Sequence, residues 1–309
     1  MSRYLAWRLV GAIPTLLGVT VLTFLFIRLI PGDAIAARLG TSTALSPEQL
    51  ASLRAYFGLD QPLHQQYWNW LTSMLRGDFG YSIRTGRPVL VEITERLPAT
   101  LIAVAIGLPL GLLSAMRPRS RIDVLARIGG LIGLSLPSFW LGTLIIVLFS
   151  LYLRWLPNTG GFVDFVHDPL RNIELIVLPA VTLGVALAAA TMRMTRSAML
   201  DVLSADYVRT AWAKGLRRSL IVRRHVLKNG LIVVVTLLGI QVGQLLGGAV
   251  VVEEIFSIPG VGRMLLAAIV QRDYALVQGG VLAIAILFVA LNIVVDVLYG
   301  YLDPRIRLT

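Results

Sequence analysis

Apolar positions along the chain gather into long runs near residues 9–30, 97–116, 128–153, 175–198, 231–254 and 277–300. Each run is long enough to cross a hydrocarbon layer about 30 Å thick. None alternates with the period of two that a barrel strand needs, and backbone amides in lipid must be satisfied within the segment, so the pattern predicts transmembrane helices. The first run carries no charge from Leu9 to Ile27 and follows Arg3 and Arg8. It exceeds the roughly 7–15 apolar residues of a signal peptide, and no small-x-small cleavage site separates it from Arg28 and Pro31, so it reads as an uncleaved span. The run at 97–116 carries Pro98 and Pro109, which predicts a kinked, tilted or protein-shielded helix. Gly129-Gly130, Gly243 and Gly247-Gly248 predict close helix contacts.

Between the first two runs lies a polar segment, 31–95, with its own helical pattern. Ser46-Pro47-Glu48 reads as a helix start, with Ser46 as N-cap and Pro47 at the first helical position, ahead of Leu50, Leu53, Tyr56 and Phe57. A second helix is expected from His64 through Leu75, before Gly77. Its aromatic group, Tyr67, Trp68 and Trp70, reads as packing at the membrane surface, with docking of an external partner as the other reading.

Sidedness follows from lysine and arginine in alternate loops. One set holds Arg3 and Arg8, then Arg117, Arg119, Arg121 and Arg127, then the segment from Arg193 to Lys228, then Arg305 and Arg307. The other set is sparser and shares its loops with most of the acids. The first set is therefore cytoplasmic, and both termini lie inside. The expected fold is an all-α integral membrane protein of about six transmembrane helices: a first helix at 1–30, an extracytoplasmic helical segment at 31–95, a five-helix core at 96–300 with a cytoplasmic loop at 199–230, and a cytoplasmic tail at 301–309.

Composition agrees with this pattern. The 309 residues are 56% hydrophobic and 15% charged, with a mean hydropathy of +0.77, far more apolar than a soluble domain. A net charge of +11 could point to nucleic acid, but the basic residues stand in short clusters between uncharged runs, as in cytoplasmic membrane loops. With no cysteine, disulfides, thiolate metal sites and cysteine nucleophiles are excluded. His64, His167 and His225 are dispersed over both predicted sides, which argues against a metal cluster.

The loop between the fourth and fifth runs reads SADYVRTAWAKGLRRSLIVRRHVLKNGL, residues 204–231. Ala205 to Lys214 predict a short helix with Tyr207, Ala211 and Trp212 toward one side and Gly215 closing it. Exposed aromatics on such a helix suit either a protein partner or a bed of anionic headgroups.

This loop resembles the cytoplasmic loop of ABC-importer permeases, whose pattern places a small-residue triplet, here Arg209-Thr210-Ala211, six positions before a glycine, here Gly215. YVRTAWAKGL followed by RRHVLKNGL is similar to the first permease subunit of the dipeptide/oligopeptide/nickel importers. The family usually has alanine at the place of Gly230 and proline at that of Val233. Further likenesses run the length of the chain: Leu59–Leu63, Leu75–Gly80, Arg96–Leu101, Ser135–Trp140, VVVEEIFSIPGVGRML at 250–265, Asp273-Tyr274 and Leu302–Arg305. The segment after Thr100 is shorter than the family's by about two helical turns.

What the resemblance implies is a permease without a catalytic site, carrying peptides or a related small solute; nickel, glutathione, opines and haem are the family's other cargoes. No Walker A pattern occurs, and no glycine is followed by lysine, so ATP and magnesium belong to separate ATPases. Expected partners are a second homologous permease, two ATPase subunits or domains, an extracytoplasmic solute-binding protein and membrane lipid, with no nucleic acid. The coupling set is Ala205, Asp206, Tyr207, Val208, Arg209, Thr210, Ala211, Trp212, Lys214 and Gly215, with Tyr207, Val208 and Trp212 as apolar anchors, and Asp206, Arg209 and Lys214 for polar register.

Charges within or beside the spans are functional candidates. Glu253 and Glu254 are expected to pair with Arg263 or Arg272, Arg28 to reach the outer interface, and Asp296 to meet Arg305 or Arg307. An ion-coupled secondary transporter is the competing class. It would place acids or broken helices at mid-membrane, often with inverted halves, and the middles of these runs carry neither Asp nor Glu.

Overall fold

The computed structural model describes residues 2–29, 46–56, 60–115, 136–157, 162–163, 165–221 and 226–302. These residues are mostly helical: α1 (Ser2–Leu29), α2 (Pro47–Tyr56), α3 (Leu63–Leu75), α4 (Val89–Ala115), α5 (Ser138–Ile146), α6 (Pro169–Ser204), α7 (Asp206–Ala213), α8 (Arg218–Ile221), α9 (Leu227–Ile255), α10 (Val261–Val270) and α11 (Tyr274–Leu302). Among the described residues, extended pairing is confined to a bridge between Tyr81 and Pro88.

Two helices, over Ala6–Leu29 and Tyr274–Leu298, are long and apolar enough to cross a membrane by length and composition. Helix α4 has 27 residues, about 40 Å at 1.5 Å per residue. It passes through both Pro98 and Pro109, and it begins well before the apolar run at 97–116. The run at 128–153 is described from residue 136 onward. There α5 loosens into a π-helical stretch over Val147–Tyr152, with Leu153 N–H reaching back to Leu148 O at 2.9 Å. Gly129-Gly130 lie outside the described residues.

Local chemistry accounts for the helix ends. Ser46 Oγ accepts from Gln49 N, and Gln49 Oε1 accepts from Ser46 N. This capping box opens α2 as the Ser46-Pro47 pattern predicts. Asp168 caps α6 by accepting from Arg171 N at 3.0 Å, with Pro169 in the first turn. Helix α6 runs 36 residues, about 54 Å. Its C-terminal turns lead directly into α7.

The chain divides into two compact units, one of residues 1–9, 99–258 and 288–309, the other of 10–98 and 259–287. In the first, Ala99 and Ala103 of α4, Leu141 and Ile145 of α5, Ile176 and Leu183 of α6 and Val252 of α9 form the buried core. Small residues let these helices close: a methyl on Gly142 would stand 3.2 Å from Phe256, and one on Gly243 would stand 3.2 Å from Phe288. Gly247 has open space around it, so its expected packing role falls to Gly243. One polar tie joins the two longest helices of this unit, Thr191 Oγ1 to Gln241 Oε1 at 2.7 Å, both side chains buried. At the predicted cytoplasmic end, Arg8 Nη2 meets Asp296 Oδ1 at 2.9 Å. Asp296 thus pairs within the described chain, and the expected partners Arg305 and Arg307 lie outside it.

In the second unit Val89, Ile93, Val261, Met264, Ala268, Leu276 and Val277 pack together. Gly279 is required there, because a methyl at that position would stand 2.5 Å from Val89 Cγ1.

Candidate functional site

The loop helix α7 begins where α6 ends. Ala205 leaves the helical region (φ −67, ψ 144), and its carbonyl accepts from Val208 N and Arg209 N at 3.0 and 3.2 Å. Asp206 in the first turn complements the helix dipole. Thr210 Oγ1 donates back to Asp206 O at 2.9 Å.

At the other end Gly215 adopts φ +72. Its N–H bonds to Trp212 O at 2.9 Å, and Leu216 N–H bonds to Ala211 O at 3.4 Å. This pair of bonds is the Schellman closure, which needs a left-handed residue at that point. Leu216 then packs against the cluster that contains Val208 and Ala211, in keeping with the apolar contact that accompanies the motif.

Burial sorts the coupling residues. Val208 (0% exposed) and Ala211 (5%) are turned into the chain's own cluster with Ile221 and Val226, and with Val202 of α6. Tyr207 and Trp212, each 45% exposed, flank this stripe, about 140° apart at 100° per residue. Asp206, Arg209, Thr210, Ala213 and Lys214 are exposed. Of the three anchors expected from the sequence, Tyr207 and Trp212 are therefore at the surface, and Val208 holds the helix to its base. The Asp206–Arg209 pair, 3.5 Å apart and largely exposed, contributes little. Asn229 on α9 donates to the Tyr207 hydroxyl at 3.0 Å, a tie that spacing does not reveal because 22 residues intervene. Residues 222–225 lie outside the described set.

Acids elsewhere in the two units are also engaged. Thr100 Oγ1 donates to Glu253 Oε1 at 2.6 Å, with Glu253 2% exposed. In the second unit, Ser82 Oγ donates to Asp273 Oδ2 at 2.5 Å. Arg84 N reaches the same oxygen at 3.4 Å, and Leu276 N caps onto Oδ1 at 3.2 Å. Glu92, buried at the start of α4, pairs with Arg96 and stands 3.5 Å from Arg87. Arg87 also meets Glu95 at 2.5 Å, and this hydrogen bond holds the Glu95 carboxyl below the usual carboxylate range and raises the guanidinium. Thr100 and Asp273 stand in motifs singled out above, but their partners, 153 and 191 residues away, leave no mark in the sequence. Among the described residues no group of three His, Cys, Asp or Glu could hold a metal ion.

Long apolar helices and a short loop helix closed by Gly215 are what the described residues present. Residues 107–308 match the family described as binding-protein-dependent transport system inner membrane component, and residues 1–104 match the N-terminal region of the same membrane components. The chain belongs to this family of ABC-importer permeases.

Among curated proteins it is 41% identical over 337 aligned positions to the dipeptide transport system permease protein DppB of Escherichia coli K12, with 99% of each chain covered. It is 42% identical over 315 positions to the glutathione transport system permease protein GsiC of Salmonella typhimurium, again with 99% of each covered. A solved amino acid ABC transporter aligns with a TM-score of 0.44 and 15% identity, covering 70% of this chain and 93% of that one.

Proposed function

We propose that this chain is one of two permease subunits of an importer for peptides or peptide-like solutes, crossing the membrane six times with both termini in the cytoplasm. The family membership and near-equal likeness to a dipeptide and a glutathione permease support a solute with a peptide backbone. ATP hydrolysis, with its magnesium, belongs to two partner ATPase subunits or domains, and an extracytoplasmic binding protein delivers the solute.

The observation that carries the coupling role is the construction of α7. Its inner stripe, Val208 and Ala211, is fastened to α6 and α8, and Tyr207 is tied to Asn229. Trp212 is left half exposed. A helix fastened this way moves with the long helices it joins, so a partner gripping its outer side can work them as a lever. Tyr207 and Trp212 form the apolar shoulders of that grip, with Asp206, Arg209, Thr210 and Lys214 setting register.

Trp212→Asp, or deletion of 205–215, leaves membrane insertion intact and abolishes copurification with the ATPase. Normal copurification overturns the coupling role. Solute uptake by the reconstituted complex stops when the ATPase is inactivated; uptake persisting on a proton gradient alone would establish a secondary transporter instead.

A further inference from the structure

Helix α3 runs antiparallel to α1, and its partners step steadily down that helix. Arg28 Nε and Nη2 donate to Gln66 Oε1 at 3.1 and 2.9 Å, while the guanidinium lies 3.4 Å over the Phe24 ring. Next along α3, Tyr67 and Trp70 pack on Phe24 with ring centroids 5.2 and 6.2 Å away. The Tyr67 hydroxyl meets Thr20 Oγ1 at 3.0 Å. Leu71 and Met74 form a buried cluster that Leu16 joins. From position 28 to position 16 is about 18 Å along an α-helix. Because α1 is uncharged between Arg8 and Arg28, Arg28 marks the outer edge of a layer about 30 Å thick. The last turn of α3 then lies about halfway into that layer.

The start of α11 reports a similar depth. Leu282 shares the cluster with Leu71 and Met74, and it stands about 12 Å along the helix from Tyr274. The chain then climbs back: Phe79 lies against Gly279, Gly80 faces Ala275, and Ser82 reaches Asp273. The backbone N–H groups of the reversal at Arg76–Asp78 are bonded: Arg76 N and Asp78 N meet Ser73 O, Gly77 N meets Met74 O, and Gly80 N meets the Asp78 carboxylate. Asn69 donates to Gln61, and Thr72 donates to carbonyls of its own helix. A segment below the headgroups needs this internal satisfaction of polar groups.

Its two outward surfaces differ. Trp68 and Leu75, which share a face at a spacing of seven, are 63% and 76% exposed. Arg76 and Asp78 at the reversal are also exposed, and charges at that depth need water.

We propose that α3 and the turn after it form a re-entrant hairpin in the outer half of the membrane. Lipid acyl chains cover its Trp68–Leu75 face, and its charged turn borders the water-filled path taken by the solute. The hairpin replaces a wholly extracytoplasmic 31–95 segment. It rests on the permease reading for the position of α1, and it is independent of which solute is carried.

Because the chain has no cysteine, single spin labels can be placed in the complete transporter in proteoliposomes. Trp68→Cys and Leu75→Cys report the lipid face and Asp78→Cys the turn. Phe26→Cys on the exposed side of α1 and Glu48→Cys on α2 serve as lipid and water references. Collision with oxygen is compared with collision with a water-soluble nickel chelate. Labels at 68 and 75 are expected to match the reference at 26, with an oxygen-to-nickel ratio roughly tenfold above that at 48, while the label at 78 matches 48. Nickel reaching 68 and 75 as freely as 48 overturns the hairpin, and nickel failing to reach 78 overturns its contact with the path. If the label at 26 itself reads as water, the membrane placement of α1 fails, and the permease topology fails with it. Thr72→Cys and Arg76→Cys carry the same contrast should a first-choice variant not assemble.

Discussion

Helices α7 and α10 are both short connectors between long helices, and both end in the same pair of backbone hydrogen bonds. At α7 the left-handed residue is Gly215 (φ +72), where a side chain would be strained. At α10 it is Arg272 (φ +56), whose N–H meets Ile269 O at 3.1 Å while Asp273 N–H meets Ala268 O at 2.9 Å. A non-glycine residue costs about 1 kcal/mol or more in this region. At α10 that cost is offset by the next residue: buried Asp273 accepts from Ser82, Arg84 and Leu276, so the turn is held from three directions. The outer surfaces differ as well. Around α7 the exposed residues include Asp206, Arg209 and Lys214, suited to water and a protein partner, whereas α10 exposes Leu266, Ile269 and Val270, suited to an apolar environment. One closing geometry therefore serves a joint whose stop is written in a glycine and a joint whose stop depends on distant neighbours.

The contrast breaks most sharply at Asp273. Asp273→Ala strips a buried hydroxyl and two backbone amides of their acceptor and removes a helix cap, and it is expected to cost about 3 kcal/mol, read as a lowered melting temperature of the purified permease. An unchanged melting temperature would show that Arg272 holds its conformation unaided. Val208→Ala, which opens the base of α7, is expected to cost about 2 kcal/mol and to loosen the loop, measured by faster proteolysis between α6 and α9.

Smaller effects sharpen the comparison. Gly215→Ala costs about 1 kcal/mol, whereas Arg272→Gly changes stability by less than about 1 kcal/mol, toward gain, because it relieves the left-handed strain. Equal losses at both positions would dissolve the distinction between the two joints.

The smallest effect belongs to the exposed Arg87–Glu95 pair. Arg87 holds the Glu95 carboxyl below its ordinary value, so the pair favours the folded state above the ordinary carboxylate range and loses that contribution as pH falls through the lowered value. Any difference in melting temperature between Glu95→Gln and the parent chain is therefore present at neutral pH and fades on acidification. A difference that grows in acid would mean the carboxyl is raised instead.

Much of the architecture was legible from pattern. Apolar runs marked α1, α4, α6, α9 and α11, because length and hydropathy are local properties. The start of α2 was legible in Ser46-Pro47, and the end of α7 in Gly215, because capping is settled within a few residues. The prolines at 98 and 109 do not end the helix, and α4 runs through both.

Burial inside the loop was not legible. Tyr207, Val208 and Trp212 look alike as apolar residues on a short helix, and only the positions of Ile221 and Val226 turn Val208 inward and leave the other two at the surface. The same holds for Asn229 beneath Tyr207 and for the acid partners Thr100 and Ser82, because hydrogen bonds across many residues of chain have no local signature.

By itself the sequence determined where the long apolar helices run, where α2 begins and α7 stops, which family the chain belongs to and which loop carries the basic charge. Those properties follow from nearest neighbours along the chain and from hydropathy averaged over a span. The tertiary structure decided which face of each helix is spent on the chain's own core, which left-handed turns are held by remote side chains, and that α3 is paired with α1 down to Leu16. Those are decided by which residues meet in space, and the polar look of the segment between α1 and α4 gave no sign of that last pairing.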